Sequence, residues 1–179
     1  KNCKSIKNVE GMIVDGHLTI PCTVDRICKE SFRNSTIKSV DFGSNPIITE
    51  IKFDAFTGCM SLTELVLPNT LTTIGERMCS ASGVKYAVIP DSVTSMGYGM
   101  FMDCKSLEFV ELGTGTAVRN KMFSGCTALK AVSIPEGITK IDSNAFVGCT
   151  ALKAVYLPSS LVTIGDNTGW GTGAFDSCT

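Results

Sequence analysis

Ala128-Leu129-Lys130-Ala131-Val132-Ser133-Ile134-Pro135 is followed, 23 positions on, by Ala151-Leu152-Lys153-Ala154-Val155-Tyr156-Leu157-Pro158. The same phrase recurs about seven times in 179 residues. Taking the first apolar residue of each unit as its leader, Ile37, Leu62, Val84, Leu107, Leu129 and Leu152 are spaced by 25, 22, 23, 22 and 23. Three positions later stand Val40, Leu65, Ala87, Val110, Val132 and Val155, and two further on Phe42, Leu67, Ile89, Leu112, Ile134 and Leu157. Leu18 and Ile20 begin the same register one unit earlier, with Asp15 in the leader position. Such alternation marks a short strand with one face buried. A period of this length means stacked units, each too small to offset the entropy of its own ordering.

Proline punctuates the pattern. Pro21, Pro68, Pro90, Pro135 and Pro158 occupy one column, with Gly43 and Gly113 replacing proline twice. A residue that cannot donate a ladder hydrogen bond belongs just past the paired part of a strand, so every strand ends at the same place. A second apolar pair follows: Val24/Ile27, Leu71/Ile74, Val93/Met96, Ile138/Ile141 and Leu161/Ile164. The chain then turns through Phe32, Ala55-Phe56, Met100-Phe101, Met122-Phe123, Ala145-Phe146 or Ala174-Phe175, and reaches Cys59, Cys104, Cys126, Cys149 or Cys178. Asp142 to Gly148 reads as one short helical turn, with Asp142 or Ser143 as N-cap and Gly148 as stop. The expected fold class is therefore an α/β repeat solenoid over residues 1–179. It is a leucine-rich-repeat array with a parallel β-sheet on one face and short helical or 3-10 turns on the other.

Two segments depart from the period. Met12 to Ile20 alternates around Asp15-Gly16, the strongest short hairpin signal, and predicts a hairpin at 12–20 laid on the first regular strand. Residues 165–173 are an insertion, because Ile164 and Phe175 lie 11 apart where Ile141 and Phe146 lie 5 apart. It carries Trp170, the single tryptophan, either covering the end of the stack or presenting a contact residue from a loop. The chain opens at Cys3-Lys4-Ser5-Ile6, which matches Cys104-Lys105-Ser106-Leu107, and closes inside another unit. We therefore expect a piece of a longer protein.

The cadence from Phe146 through Cys149, Leu152, Val155, Leu157-Pro158, Leu161 and Ile164-Gly165 resembles the BspA-type leucine-rich repeat, and the likeness runs over about residues 15–179. Cys79 stands in the phenylalanine column, Ala87 in a core column, and the unit of Ile37 carries extra residues around Asn45-Pro46-Ile47. The resemblance implies a non-enzymatic interaction module on a cell surface or secreted, adhesin-like, binding a host-matrix or cell-surface protein or glycan. The alternative is a structural spacer within a larger surface protein, with no ligand of its own.

Composition narrows the chemistry. The chain is 44% hydrophobic, 18% charged and carries a net charge of -1 without a basic run, which speaks against tracking nucleic-acid phosphates. No stretch approaches the roughly 20 consecutive apolar residues of a membrane span. Of the nine cysteines, the five in the repeat column read as buried thiols acting as small hydrophobes. Cys22 and Cys28 lie outside that column and could pair with each other. Neither their spacing nor the single histidine, His17, supplies a zinc site, and no metal, cofactor or catalytic residue is expected. Asn34-Ser35-Thr36 is a glycosylation sequon, weak as a three-residue pattern.

Binding falls to the strand face. If the columns above point inward, the alternating residues point out: His17, Ser39, Glu64, Tyr86, Phe109, Ala131 and Ala154 in one column, Thr19, Asp41, Val66, Val88, Glu111, Ser133 and Tyr156 in the other. Tyr86 and Phe109 then lie side by side, about 5 Å apart, with Val66 and Val88 as neighbours. The candidate partner-binding set is Glu64, Val66, Tyr86, Val88, Phe109, Glu111 and Tyr156, together with Trp170. Its competitor is plain sheet stabilisation by cross-strand pairs. Bare apolar ends of the stack would add end-to-end self-association.

Overall fold

The computed structural model describes residues 12–115, 117–165 and 173–178. They form fourteen short strands, and there is no helix among them. In chain order these are β1 (Ile13–Val14), β2 (His17–Thr19), β3 (Arg26–Ile27), β4 (Ser39–Asp41), β5 (Glu50–Ile51), β6 (Glu64–Val66) and β7 (Thr73–Ile74). They continue as β8 (Tyr86–Val88), β9 (Ser95–Met96), β10 (Phe109–Glu111), β11 (Ala131–Ser133), β12 (Lys140–Ile141), β13 (Ala154–Tyr156) and β14 (Thr163–Ile164). After β1, seven strands of three residues line one face of a leucine-rich-repeat solenoid, with the parallel register that the column alignment requires. Phe109 pairs with Tyr86 and Tyr86 with Glu64; Ala131 pairs with Ala154. β1 runs antiparallel to β2, with Ile13 opposite Leu18 and Val14 opposite His17. Asp15 and Gly16 make the intervening turn, at φ 51° and 87°, the left-handed values a tight hairpin needs.

The expected helical face is not there. A second parallel sheet occupies the side where the second apolar pair falls, β3–β5–β7–β9 and then β12–β14, with Ile27, Ile51, Ile74, Met96 and Ile141 buried beneath it. The phenylalanine step is a turn, not a helix, because a left-handed residue stands two before and two after the aromatic. Around Phe56 these are Asp54 and Gly58 (φ 55° and 73°); around Phe146, Asn144 and Gly148 (φ 59° and 73°). Only three residues remain between them, too few for a helical turn, whose residues all need φ near −60°. Asp142 does not cap a helix; its carboxylate meets Lys140 Nζ at 3.0 Å. The backbone donors of the turn face along the stack instead. The N–H groups of Asp54, Phe56 and Gly58 donate to the carbonyls of Glu76, Met78 and Ser80 in the next unit, at 3.0, 2.8 and 2.9 Å. A third ladder thus satisfies the groups a helix would have bonded internally.

Two side-chain columns fill the interior behind these turns. Phe101, Phe123, Phe146 and Phe175 stack with centroids 5.8, 5.1 and 5.0 Å apart, and Phe32 stacks on Phe56 at 5.2 Å. Cys79 interrupts the ladder between them. Each column cysteine donates its thiol to the carbonyl of the aromatic-column residue one unit back: Cys59 to Phe32 (3.0 Å), Cys104 to Cys79 (3.0 Å), Cys126 to Phe101 (3.1 Å) and Cys149 to Phe123 (3.1 Å). Burial pushes these thiols up, Cys104 to about 11 and Cys149 to about 12, so they stay protonated and unreactive. Cys28 is disulfide-bonded while Cys22 carries an exposed free thiol, so the 22–28 bond does not form.

Unit length decides where the strand face is continuous. From the last core residue of the strand to the core residue of the second strand is 7 positions in Ile20–Ile27, Leu67–Ile74, Ile89–Met96, Ile134–Ile141 and Leu157–Ile164. It is 9 in Phe42–Ile51 and 6 in Leu112–Val118. These two units alone change the length of the segment between the paired strands, which shifts one coil against the next. The strand face therefore splits after each irregular unit, into β1–β2–β4, β6–β8–β10 and β11–β13. In the short unit Gly113 and Gly115 press onto the unit before: a Cβ on Gly113 would stand 2.4 Å from the Pro90 carbonyl carbon, and one on Gly115 2.5 Å from the Val93 oxygen. Glycine is required there by close approach.

Candidate functional site

The strands hold the outward residues at fixed spacing, and seven of the eight candidate positions fall on described residues. Glu64 and Val66 project from β6, Tyr86 and Val88 from β8, Phe109 and Glu111 from β10, Tyr156 from β13. Glu64, Val66, Phe109, Glu111 and Tyr156 are exposed, Tyr86 and Val88 half-buried. Trp170 lies outside the described residues.

The structure draws most of them into one patch. The rings of Tyr86 and Phe109 stack at 5.7 Å with 12° between planes. The Tyr86 hydroxyl donates to Glu111 Oε1 at 2.9 Å, across to the neighbouring strand and the other outward column. That bond, with lesser help from desolvation and from the charges of Glu111 and Glu64, raises the phenol above its ordinary range. Tyr86 therefore remains a donor and fixes the carboxylate. Glu64 and Val66 flank the pair through their register partners Tyr86 and Val88. His17 is exposed at the far end, its Nδ1 2.6 Å from the Ser39 hydroxyl.

Beside the stacked pair, at the β10–β11 seam, lies a cleft of about 360 Å³. Phe109 and Glu111 wall one side and Tyr156 lines it too; Ala131 and Ser133 on the intervening strand leave the space open because their side chains are short. Glu111 is the sole charged residue among those lining it. The column alignment placed Phe109, Glu111 and Tyr156 on one face but did not find the cleft. The signal was available: counting back from Phe123 assigns Val118, buried and bridged to Ile141, to the second-strand column and exposes the missing residue.

A separate polar cluster lies at the turns. Asp54 is buried; Arg77 grips its carboxylate through Nε and Nη2, both at 3.0 Å, and Arg33 Nη1 approaches at 3.2 Å. The Arg77 hydrogen bond, with those of Thr57 and the charges of both arginines, holds Asp54 below the usual carboxylate range against the effect of burial. This network ties three successive units and is structural. Among the described residues no group of three His, Cys, Asp or Glu is placed to hold a metal, and there is no helix long and apolar enough to cross a membrane.

The model of the BspA-type leucine-rich-repeat region matches residues 16–130 and 116–179, in six copies. Among solved structures, a leucine-rich repeat protein from Bacteroides ovatus is 30% identical with a TM-score of 0.77; the match covers 85% of this chain and 40% of that one. A leucine-rich repeat protein from Eubacterium ventriosum is 24% identical with a TM-score of 0.81, covering 92% and 43%. The leucine-rich repeat protein of T. pallidum shares the fold at 19% identity and a TM-score of 0.55, covering 89% and 77%. The chain thus spans less than half the length of the first two. No curated protein matches its sequence.

Proposed function

The chain belongs to the BspA-type leucine-rich-repeat family, and from that membership and its aromatic patch we propose that it is a protein-interaction module working through the strand face, without catalysis. The carrying observation is the Tyr86–Phe109 stack with its adjoining cleft. These rings cover no core; their stacking steadies the sheet, and an aromatic patch left on the surface also marks a recognition site. Short strands pinned by the stack hold the side chains in place, so little order is lost on binding, and aromatic anchors typically dominate interface energy. The proposed binding site comprises Glu64, Val66, Tyr86, Val88, Phe109, Glu111 and Tyr156, with Trp170 as its eighth candidate. The setting is the cell surface or a secreted protein, with adhesion to a host-matrix or cell-surface partner as the role.

The test is a double substitution, Tyr86→Ala with Phe109→Ala. Neither residue fills an inward column, so circular dichroism should be unchanged. Attachment to host matrix proteins or whole cells should fall at least tenfold, about 1.4 kcal/mol. Equal attachment by a folded double variant would remove the strand-face reading and return weight to a spacer without a ligand.

A further inference from the structure

Resting on that reading, we infer that the cleft at the β10–β11 seam receives a cationic side chain, arginine or lysine, from an extended segment of a protein partner. Three features of the cleft select this occupant. The aromatic residues Phe109 and Tyr156 line it, and aromatic faces attract a desolvated cation. Glu111 supplies the only charge among the lining residues. Its Oε1 is held by the Tyr86 hydroxyl at 2.9 Å, yet a carboxylate offers about four lone-pair sites, so it can still accept from a guanidinium or ammonium.

Charge in the outward columns themselves agrees. Asp41, Glu64 and Glu111 all project from the outward columns and are exposed, so their fields add toward a cation. The lysines of the face, Lys38, Lys85, Lys130 and Lys153, stand one residue before their strands and do not line the cleft, and Lys130 is paired with Glu108 at 3.1 Å. Size sets the last limit. A cleft of about 360 Å³ sits at the bottom of the range for small-ligand pockets, about 300–1,000 Å³. It takes one long side chain, not a helix face, and Ala154 on β13, as short as Ala131 and Ser133 within the cleft, leaves room beside it for an extended backbone. A neutral sugar could stack on Phe109 and donate a hydroxyl to Glu111, but without the charge assistance that a guanidinium or ammonium brings to that hydrogen bond.

The probes are three short, otherwise neutral peptides, identical except for a central arginine, citrulline or glutamate, titrated into the isotope-labelled chain and followed by NMR. The arginine peptide should shift amide signals of Phe109–Glu111 and Ala131–Ser133. It should bind about tenfold more tightly than the citrulline peptide, since charge-assisted hydrogen bonds are roughly twice as strong as neutral ones, and the advantage should shrink with salt. Glu111→Gln keeps the shape and an acceptor for Tyr86; it should abolish the preference for arginine, while Glu108→Gln should not. Equal binding of the arginine and citrulline peptides, or an unchanged arginine preference in Glu111→Gln, would overturn the inference. So would a neutral oligosaccharide that shifts the same signals equally in wild type and Glu111→Gln. If no peptide binds but Tyr86→Ala with Phe109→Ala still weakens attachment to matrix, the cation site fails and the strand-face reading stands.

Discussion

Replacing Phe123 by alanine tests the stacking logic most sharply when set against the same change at Phe101. Both rings are fully buried, and both carbonyls accept a column thiol at 3.1 Å. They differ in neighbours. Phe123 stacks on Phe101 at 5.8 Å and on Phe146 at 5.1 Å, whereas on its other side Phe101 meets the column position held by Cys79. Opening a Phe-to-Ala cavity costs about 3–5 kcal/mol, and each aromatic pair contributes about 0.5–1.5 kcal/mol beyond its burial. Phe123→Ala should therefore fall near 5 kcal/mol and Phe101→Ala about 1 kcal/mol lower. For a domain of this size, about 2–4 °C of melting temperature per kcal/mol turns the difference into a few degrees. Urea unfolding followed by circular dichroism, with equal slopes for the two variants, is the assay. If Phe101→Ala costs as much as Phe123→Ala, the rings pack as independent hydrophobes and the ladder argument fails.

Other expectations rest on particular contacts. Asp54→Asn should cost about 2 kcal/mol at pH 7, in line with hydrogen bonds to charged groups at about 1.5–3 kcal/mol. Because Asp54 is held below its unfolded value, its contribution is complete above the ordinary carboxylate range and is lost as pH falls through the lowered one. The gap between wild type and Asp54→Asn should narrow in acid urea titrations; a gap constant down to pH 2 would contradict it. A thiol reagent at neutral pH should label Cys22 at once and Cys104, Cys126 and Cys149 only after unfolding, with Cys22→Ser removing that fast phase. Cys126→Ser should cost less than Cys126→Val, since serine keeps a donor for the Phe101 carbonyl and Ser35 and Ser82 already occupy that column; the reverse order in thermal melts would refute the thiol bonds. Leu157 and Ile164 stand in core columns yet are 48% and 49% exposed. Sedimentation should accordingly show association that rises with concentration and is weakened by Leu157→Lys with Ile164→Lys.

Column arithmetic was enough to place the solenoid, the parallel register, the inward set and the partners of the stacked pair, because a repeat makes its long-range contacts at fixed sequence offsets. Knowing that Tyr86 and Phe109 share a column is already knowing that they touch. The turns escaped that logic. Asn144 and Gly148 are ordinary turn residues, equally at home beside the end of a helix, and nothing in their spacing says that left-handed backbone at both will forbid a helix and send the donors to the next unit. Nor could the spacing of Cys22 and Cys28 reveal that they remain apart. The cleft depended on a subtler quantity, the length of the segment from Leu112 to Val118. With one residue missing between its two strand columns, that unit brings its core residues home through Gly113, Gly115 and Val118, and β10 falls out of step with β11. Sequence determines which residues face outward; only the three-dimensional path decides where neighbouring strands part and leave space for a ligand.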